Sequence, residues 1–155
     1  MAFKNVSLNS RAGLAGNPNT DAGTLDILSD DIDVRIRAAV AENPNTNAET
    51  LAILSEDVDI WIKEKVARNP HTDAETLNAL SNDDDAEIRI KVAEHPNTDA
   101  GTLRVLSKDM KMWVRAKVAG NPNTDTETLK ALSNDDDIKV RMRAAQNLKY
   151  FLREY

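Results

Sequence analysis

The sequence contains no cysteine, few aromatic residues and no long apolar run, and each absence excludes a class of protein. Without cysteine there is no disulfide framework and no cysteine-ligated metal or cluster. No apolar stretch approaches the roughly 18 residues of a membrane-spanning helix, and none follows Lys4 as a signal peptide would require. These absences predict a cytoplasmic protein that binds no membrane, cofactor or metal.

Acidic residues outnumber basic residues by 26 to 20, and the whole imbalance lies in the first half of the chain. Residues 1–78 carry 13 acidic and 7 basic side chains, whereas residues 79–155 carry 13 of each. A net negative protein repels the nucleic-acid backbone at long range, so a protein partner is favoured over a nucleic acid. Because the sequence has no cysteine nucleophile and no Gly-rich phosphate loop, we expect no enzymatic activity.

A four-residue motif, Asn-Pro-Asn-Thr, returns every 26 residues without insertion or deletion. Its five copies, two of which carry a histidine in place of one asparagine, begin at Asn17, Asn43, Asn69, His95 and Asn121. A fixed period of this length is typical of a solenoid. We therefore expect an all-α solenoid: an N-terminal cap and partial repeat at 1–16, five tandem repeats at 17–146 and a C-terminal capping helix extension at 147–155.

Each repeat is expected to contain two helices, here called helix A and helix B. Thr46 and Glu49 form a capping box, which predicts that helix A of this repeat starts at Thr46. Gly23 stands where this box would need a glutamate, so the start at Thr20 should be weaker. The buried leucines of helix A are three residues apart, a spacing that suits either a short α-helix or a 3₁₀ helix.

Helix B is expected to begin after an aspartate that caps its first turn. Asp59 takes this place in the repeat at 43–68. The equivalent residues are aspartate in three other repeats and Lys111 in one. A column of valine and a column of alanine recur on the buried side of helix B, and the small alanines allow neighbouring helices to approach closely.

The block Asn-Pro-Asn-Thr-Asp-Ala-Glu-Thr-Leu-x-x-Leu-Ser-x-Asp, followed by Ile-Arg/Lys and Val-Ala, resembles the leucine-rich repeat variant. The resemblance covers residues 11–147. It implies alternating α and 3₁₀ helices in a right-handed superhelix and no single activity. The family's founding example carries a cysteine-ligated iron–sulfur cluster, which this chain cannot bind because it has no cysteine.

A basic residue recurs on helix B, six residues after an aspartate of the preceding turn. This spacing resembles the ladder of HEAT repeats, in which the aspartate meets a basic residue on helix B of the same or the next repeat. We therefore interpret the residues as structural rather than as a track for phosphates. The predicted ladder comprises Asp31 and Arg37, Asp57 and Lys63, Asp83 and Arg89, Asp109 and Arg115, and Asp135 and Arg141.

The outer face of helix B is the predicted partner-binding surface. Large apolar residues stand there beside a column of cations, where a solvated face would have neither. The candidate residues are Trp61, Lys65, Ile90, Lys91, Trp113, Lys117, Met142 and Arg143. The competing interpretation is that each tryptophan only covers a neighbouring repeat.

The outer face of helix A changes from acidic to basic along the chain. It carries Asp26, Asp30, Glu49 and Glu56 early, then Arg104, Lys108 and Lys130. We interpret it as a solvated face; the functional alternative is a polarised surface that orients a partner or a second copy.

The function that these features predict is a non-enzymatic repeat scaffold that binds a protein or peptide through an extended helical surface. Two alternatives remain open. The basic columns could bind nucleic acid, and the polarised faces or exposed apolar residues could drive self-assembly. A monomer is the expected state.

Overall fold

The computed structural model describes residues 6–151, and all the regular secondary structure within that range is α-helical. The helices are α1 (Leu8–Gly16), α2 (Ala22–Ser29), α3 (Val34–Glu42), α4 (Ala48–Ser55), α5 (Ile60–Arg68), α6 (Ala74–Leu80), α7 (Ala86–Glu94), α8 (Ala100–Leu106), α9 (Met112–Gly120), α10 (Thr126–Leu132) and α11 (Ile138–Phe151). Helix A of each repeat is therefore an α-helix, not a 3₁₀ helix, and the all-α fold class is confirmed.

The predicted starting residue of helix A is wrong by one position. Thr46 is buried, and its hydroxyl donates a hydrogen bond to the carbonyl of Val40 at 2.5 Å. The residue that caps α4 is Asn47, whose side chain accepts from the backbone N–H of Thr50 at 2.8 Å. Because the residue after the threonine is aspartate or asparagine in every repeat, all five starts are capped alike, and glycine in the first turn does not change the cap.

The predicted caps of helix B are confirmed. Asp33, Asp59 and Asp85 each accept a hydrogen bond from the backbone two residues later. Asp137 does the same at the start of α11. Lys111, at the start of α9, makes no such bond.

The chain forms two compact units, residues 1–76 and 77–155. In the first unit α3 packs between α1 and α5, and α2 packs against α4. The core is formed by leucines of helix A such as Leu51 and by the predicted valine and alanine columns, including Val66 and Ala67. Burial of these stripes, rather than intrinsic helix propensity, stabilises helices of only eight or nine residues.

The second unit repeats this arrangement. In it α9 packs between α7 and α11, and α10 packs against α11. Leu103, Val118 and Ala119 occupy the same buried columns as their counterparts in the first unit. Within each unit, helix B of one repeat thus stacks directly on helix B of the next.

The two ends differ from the repeats. At the N-terminal end, Ala15 of α1 is buried in the alanine column. At the C-terminal end, Leu148 stands in place of the proline of the repeats, and α11 continues to Phe151. The segments 1–5 and 152–155 of the predicted caps lie outside the described residues. No helix among residues 6–151 is long and apolar enough to cross a membrane.

Candidate functional site

An arginine–aspartate ladder joins successive repeats of the first unit. Arg11 Nε lies 2.7 Å from Asp31 Oδ2, and Arg37 Nε lies 2.7 Å from Asp57 Oδ2. Arg37 Nη1 also donates to the backbone carbonyl of Asp31 at 2.8 Å. Arg37 therefore binds the backbone of its own repeat's aspartate and the carboxylate of the next repeat's, so the Asp57 carboxylate pairs with the arginine of the preceding repeat. Arg11 binds the Asp31 carboxylate in the same way, but its backbone partner is the carbonyl of Val6.

The second unit contains the same ladder. Arg89 Nε lies 2.6 Å from Asp109 Oδ2, and Arg115 Nε lies 2.7 Å from Asp135 Oδ2. Arg141 Nη1 donates to the Asp135 carbonyl at 2.7 Å. The forked guanidinium satisfies a carbonyl and a carboxylate at once, which a lysine ammonium cannot do with the same geometry.

Lys63 and Asp83, the remaining members of the predicted ladder, are half-buried. The Asp83 carbonyl accepts from Arg89 Nη1 at 2.9 Å, as the other ladder carbonyls do. Since the arginines of the basic column already bind protein oxygens, this column offers little for phosphate binding.

The ladder lowers the pKa values of three of its carboxylates, Asp57, Asp109 and Asp135. Hydrogen bonds from Arg115 hold the pKa of Asp135 below its usual range. Burial is the largest single influence on Asp57 and Asp109 and raises the pKa of each. The hydrogen bonds from Arg37 and Arg89, the backbone N–H groups two residues later and the nearby positive charges together outweigh it, so both pKa values are lowered as well. The carboxylates are therefore ionised at neutral pH and hold the arginines firmly.

The Asn-Pro-Asn-Thr motif forms a second ladder, which sequence reasoning missed. Asn43 Nδ2 donates to the carbonyls of Ala15 and Asn17 at 2.8 and 2.9 Å. Asn69 Nδ2 donates to those of Ala41 and Asn43 at 2.8 and 3.1 Å. The carbonyls at the ends of α1 and α3 are thus satisfied by the next repeat, and the signal in the sequence is the recurrence of asparagine at this position in four of the five copies of the motif.

The same bonds occur in the second unit. Asn121 Nδ2 donates to Ala93 and His95 at 2.9 and 3.0 Å, and Asn147 donates to Ala119 and Asn121 at 3.1 and 3.0 Å. The motif is therefore structural and is not a ligand site.

The predicted partner-binding face in the first unit centres on Trp61. Trp61 is 46% exposed, so about half of its surface is open to solvent. The ammonium of Lys65 lies 5.7 Å from the centre of the indole ring, within cation–π range. Lys65 also lies 3.0 Å from Glu42 Oε1 of the preceding repeat.

The equivalent face in the second unit centres on Trp113, which is 54% exposed. Its cation comes from the next repeat, since Lys139 Nζ lies 4.7 Å from the ring centre. Lys117 and Lys91 both face Glu94, at 2.6 and 4.0 Å from its carboxylate oxygens. These two lysines are partly neutralised.

Three other predicted residues differ in their placement. Ile90 is buried at 9% exposure and is not available to a partner. It lies on the side of helix B that carries Ala38 and Ala116, both also buried, so the outer face is narrower than helical geometry alone predicts. Met142 is exposed, and Arg143 Nη1 lies 3.4 Å from the carbonyl of Ala116.

The turns between helix A and helix B expose apolar residues that sequence reasoning did not single out. Ile32, Val58 and Met110 are 94%, 98% and 89% exposed. They stand at one position of the repeat, each directly after a ladder aspartate. The sequence did contain a signal for them. The same position of the repeat is aspartate in the other two turns, Asp84 and Asp136, so a large apolar residue there stands out.

No group of three or more potential metal ligands occurs among residues 6–151. His95 is buried, and its Nδ1 accepts from the backbone N–H of Asn97 at 3.0 Å, the role that asparagine Oδ1 has in the other repeats.

These ladders and stacked helix pairs define an all-α solenoid. The model of the leucine rich repeat variant family matches residues 113–137. A solved structure described as a leucine-rich repeat variant with a novel repetitive structural motif aligns with a TM-score of 0.72 and 22% identity, over 94% of this chain and 57% of its own. The resemblance to this repeat family is thereby confirmed, although the chain spans little more than half the length of that protein.

A second solved structure, the crystal structure of an engineered protein, aligns with a TM-score of 0.51 and 15% identity, over 95% of this chain and 92% of its own. No curated protein matches the sequence. At these identities the structural matches show the fold alone.

Proposed function

We propose that the protein is a non-enzymatic scaffold that binds a protein or peptide partner through the outer face of helix B. The observation that carries this proposal is the pair of half-exposed tryptophans, Trp61 and Trp113. Both occupy the same position of the repeat, and each has a lysine ammonium over its ring. A large rigid ring anchors an interface at low cost in conformational entropy, and tryptophan is enriched among interface hot spots.

The surroundings of the rings suit a protein partner better than a nucleic acid. Lys65 and Lys117 are held by Glu42 and Glu94 of preceding repeats. An acid next to each cation weakens the attraction for a phosphate backbone. Backbone amides and apolar side chains of a peptide can contact the rings without displacing these pairs.

The test compares three versions of the chain as bait in a lysate of the source organism, at physiological salt and with nuclease in one arm. They are the wild type, Trp61→Ala with Trp113→Ala, and a control with Leu8→Ala and Tyr150→Ala. The control residues are also large and exposed, but Leu8 begins α1 and Tyr150 lies in the C-terminal extension of α11. A captured protein is then purified and titrated against each version while tryptophan fluorescence is recorded.

We expect one protein to be captured by the wild type and the control but not by the tryptophan variant, with or without nuclease. The purified protein should bind the tryptophan variant at least about tenfold more weakly. If nuclease abolishes the capture, the partner is a nucleic acid and not a protein. Equal binding by all three versions would show that the tryptophans are not the site.

A further inference from the structure

Arginines of the ladder anchor the turns between helix A and helix B, and three of these turns present an apolar residue. The middle residue of each turn is a ladder aspartate: Asp31, Asp57 and Asp109 are held by arginines at 2.6 to 2.7 Å. The next residue of each, Ile32, Val58 or Met110, is almost completely exposed. A monomeric protein has little reason to fix large apolar side chains in solvent at the ends of well-anchored turns.

The charges beside these apolar residues have opposite signs in the two units. In the first unit Asp30 precedes Ile32 by two residues, and Glu56 precedes Val58 by two. In the second unit Lys108 takes this position before Met110, and Lys111 follows it. We call residues 30–32 and 56–58 the acidic turns, and residues 108–111 the basic turn.

These flanking charges are not used within the chain. Asp30, Glu56, Lys108 and Lys111 are exposed, and no ion pair to any of them occurs in the described part of the chain. By contrast, the exposed side chains of Glu42 and Arg104 are paired, with Lys65 and Asp125 respectively. Unpaired charges of opposite sign, each next to an exposed apolar group, form two complementary surfaces.

The neighbouring helix faces continue both surfaces. Ile27 and Ile53 are exposed on α2 and α4, in the helices that lead into the acidic turns. Val105 is exposed on α8, which leads into the basic turn, and Lys130 is exposed on α10. The remaining two turns lack this combination, because they carry Asn-Asp-Asp at 82–84 and 134–136.

We propose that the basic turn of one copy docks on the acidic turns of a second copy. Met110 is covered by Ile32 and Val58 of the second copy, while Lys108 and Lys111 pair with Asp30 and Glu56. Because the arginine ladder already fixes the turns, little conformational entropy is lost on docking. The contact is heterologous, since two different surfaces meet, and it involves neither Trp61 nor Trp113.

Sedimentation velocity across a concentration series, at low and at high salt, tests this proposal. The apolar variants are Val58→Asp and Met110→Asp, which introduce the residue that the chain itself has at Asp84 and Asp136. Both variants should therefore fold. The control, Asp84→Asn with Asp136→Asn, changes the turns that take no part.

The wild type and the control should show a mass that rises with concentration, and high salt should reduce it. Each apolar variant should raise the dissociation constant of self-association at least about tenfold. A wild type that remains a monomer throughout, or association that neither apolar variant weakens, would overturn the proposal.

Reversing the charges of the two surfaces provides a more stringent test. Asp30→Lys with Glu56→Lys makes both surfaces basic, and Lys108→Glu with Lys111→Glu makes both acidic. Each variant alone should be monomeric at low salt, because like charges meet. Mixing the two should restore a heteromeric complex, in which the reversed surfaces face each other. Failure of the mixture to associate, with both variants folded by circular dichroism, would contradict docking of these turns.

Discussion

The two units of the chain have nearly the same interior and opposite surfaces. Leu51 of the first unit and Leu103 of the second are both fully buried, at equivalent positions of the repeat. Yet Glu56, just after helix A of one repeat, is replaced at its equivalent position by Lys108. The buried columns cannot vary without loss of packing, whereas exposed positions are free to diverge, so the surface rather than the core distinguishes one repeat from another.

The largest expected effect tests whether the two interiors are energetically as alike as they are geometrically. Leu51→Ala and Leu103→Ala should each lower the free energy of unfolding by about 2–5 kcal/mol, because each leaves a cavity among tightly packed helices. Urea unfolding followed by circular dichroism measures both. A large loss of free energy of unfolding in one variant and a negligible loss in the other would show that the two interiors are not energetically alike.

An intermediate effect comes from the ladder and depends on pH. The pKa values of Asp57 and Asp109 are lowered in the folded protein, so the unfolded chain takes up protons first as the pH falls. Their contribution is complete above the ordinary aspartate value of 3.8 and is lost as the pH falls through the lower folded values. In Asp57→Asn and in Asp109→Asn, the free energy of unfolding should therefore fall less steeply than in the wild type as the pH is lowered. Urea unfolding at a series of pH values measures this.

The control for the ladder is Asp136→Asn, which removes an exposed carboxylate that directly follows a ladder aspartate but is not part of the ladder. The free energy of unfolding of this control should fall with decreasing pH as it does in the wild type. If the ladder variants were indistinguishable from this control, the ion pairs would contribute nothing that depends on protonation.

The smallest effect sharpens the comparison at one helix start. Lys111→Asp should stabilise the second unit by about 1 kcal/mol, since α9 would gain the cap that α5 has in Asp59. Asp59→Ala should remove about as much from the first unit. Thermal and urea unfolding measure both, with Lys111→Ala as the variant that removes the positive charge without adding a cap. Equal stability of the aspartate and alanine variants would contradict the capping argument.

The fold was predictable because its main signals are periodic. The 26-residue period, the valine and alanine columns and the aspartate caps of helix B each follow from a local rule applied several times. The start of helix A was not predictable in this way, because Thr46 and Asn47 are both residues that commonly cap a helix. Only the folded structure shows that the Thr46 hydroxyl binds the Val40 carbonyl and that Asn47 is the cap.

The candidate site was predictable in part. Trp61 and Trp113 lie half-exposed on helix B, where helical geometry placed them. Ile90, which was predicted on the same face, is buried instead. The width of the buried stripe on a helix depends on how closely the stacked helices approach, which the sequence does not show. The exposed turns at Val58 and Met110 could not be found from amphipathic periodicity, which says nothing about residues between helices.

The asparagine ladder has a consequence for how such a chain can change its length. Asn43 donates to the carbonyl of Asn17, and its own carbonyl accepts from Asn69, so one residue provides both halves of a joint. A gene segment that encodes one 26-residue block can therefore be duplicated or lost in frame, and every new junction finds its donor and acceptor already in place. The chain can vary in its number of blocks without inventing a new interface.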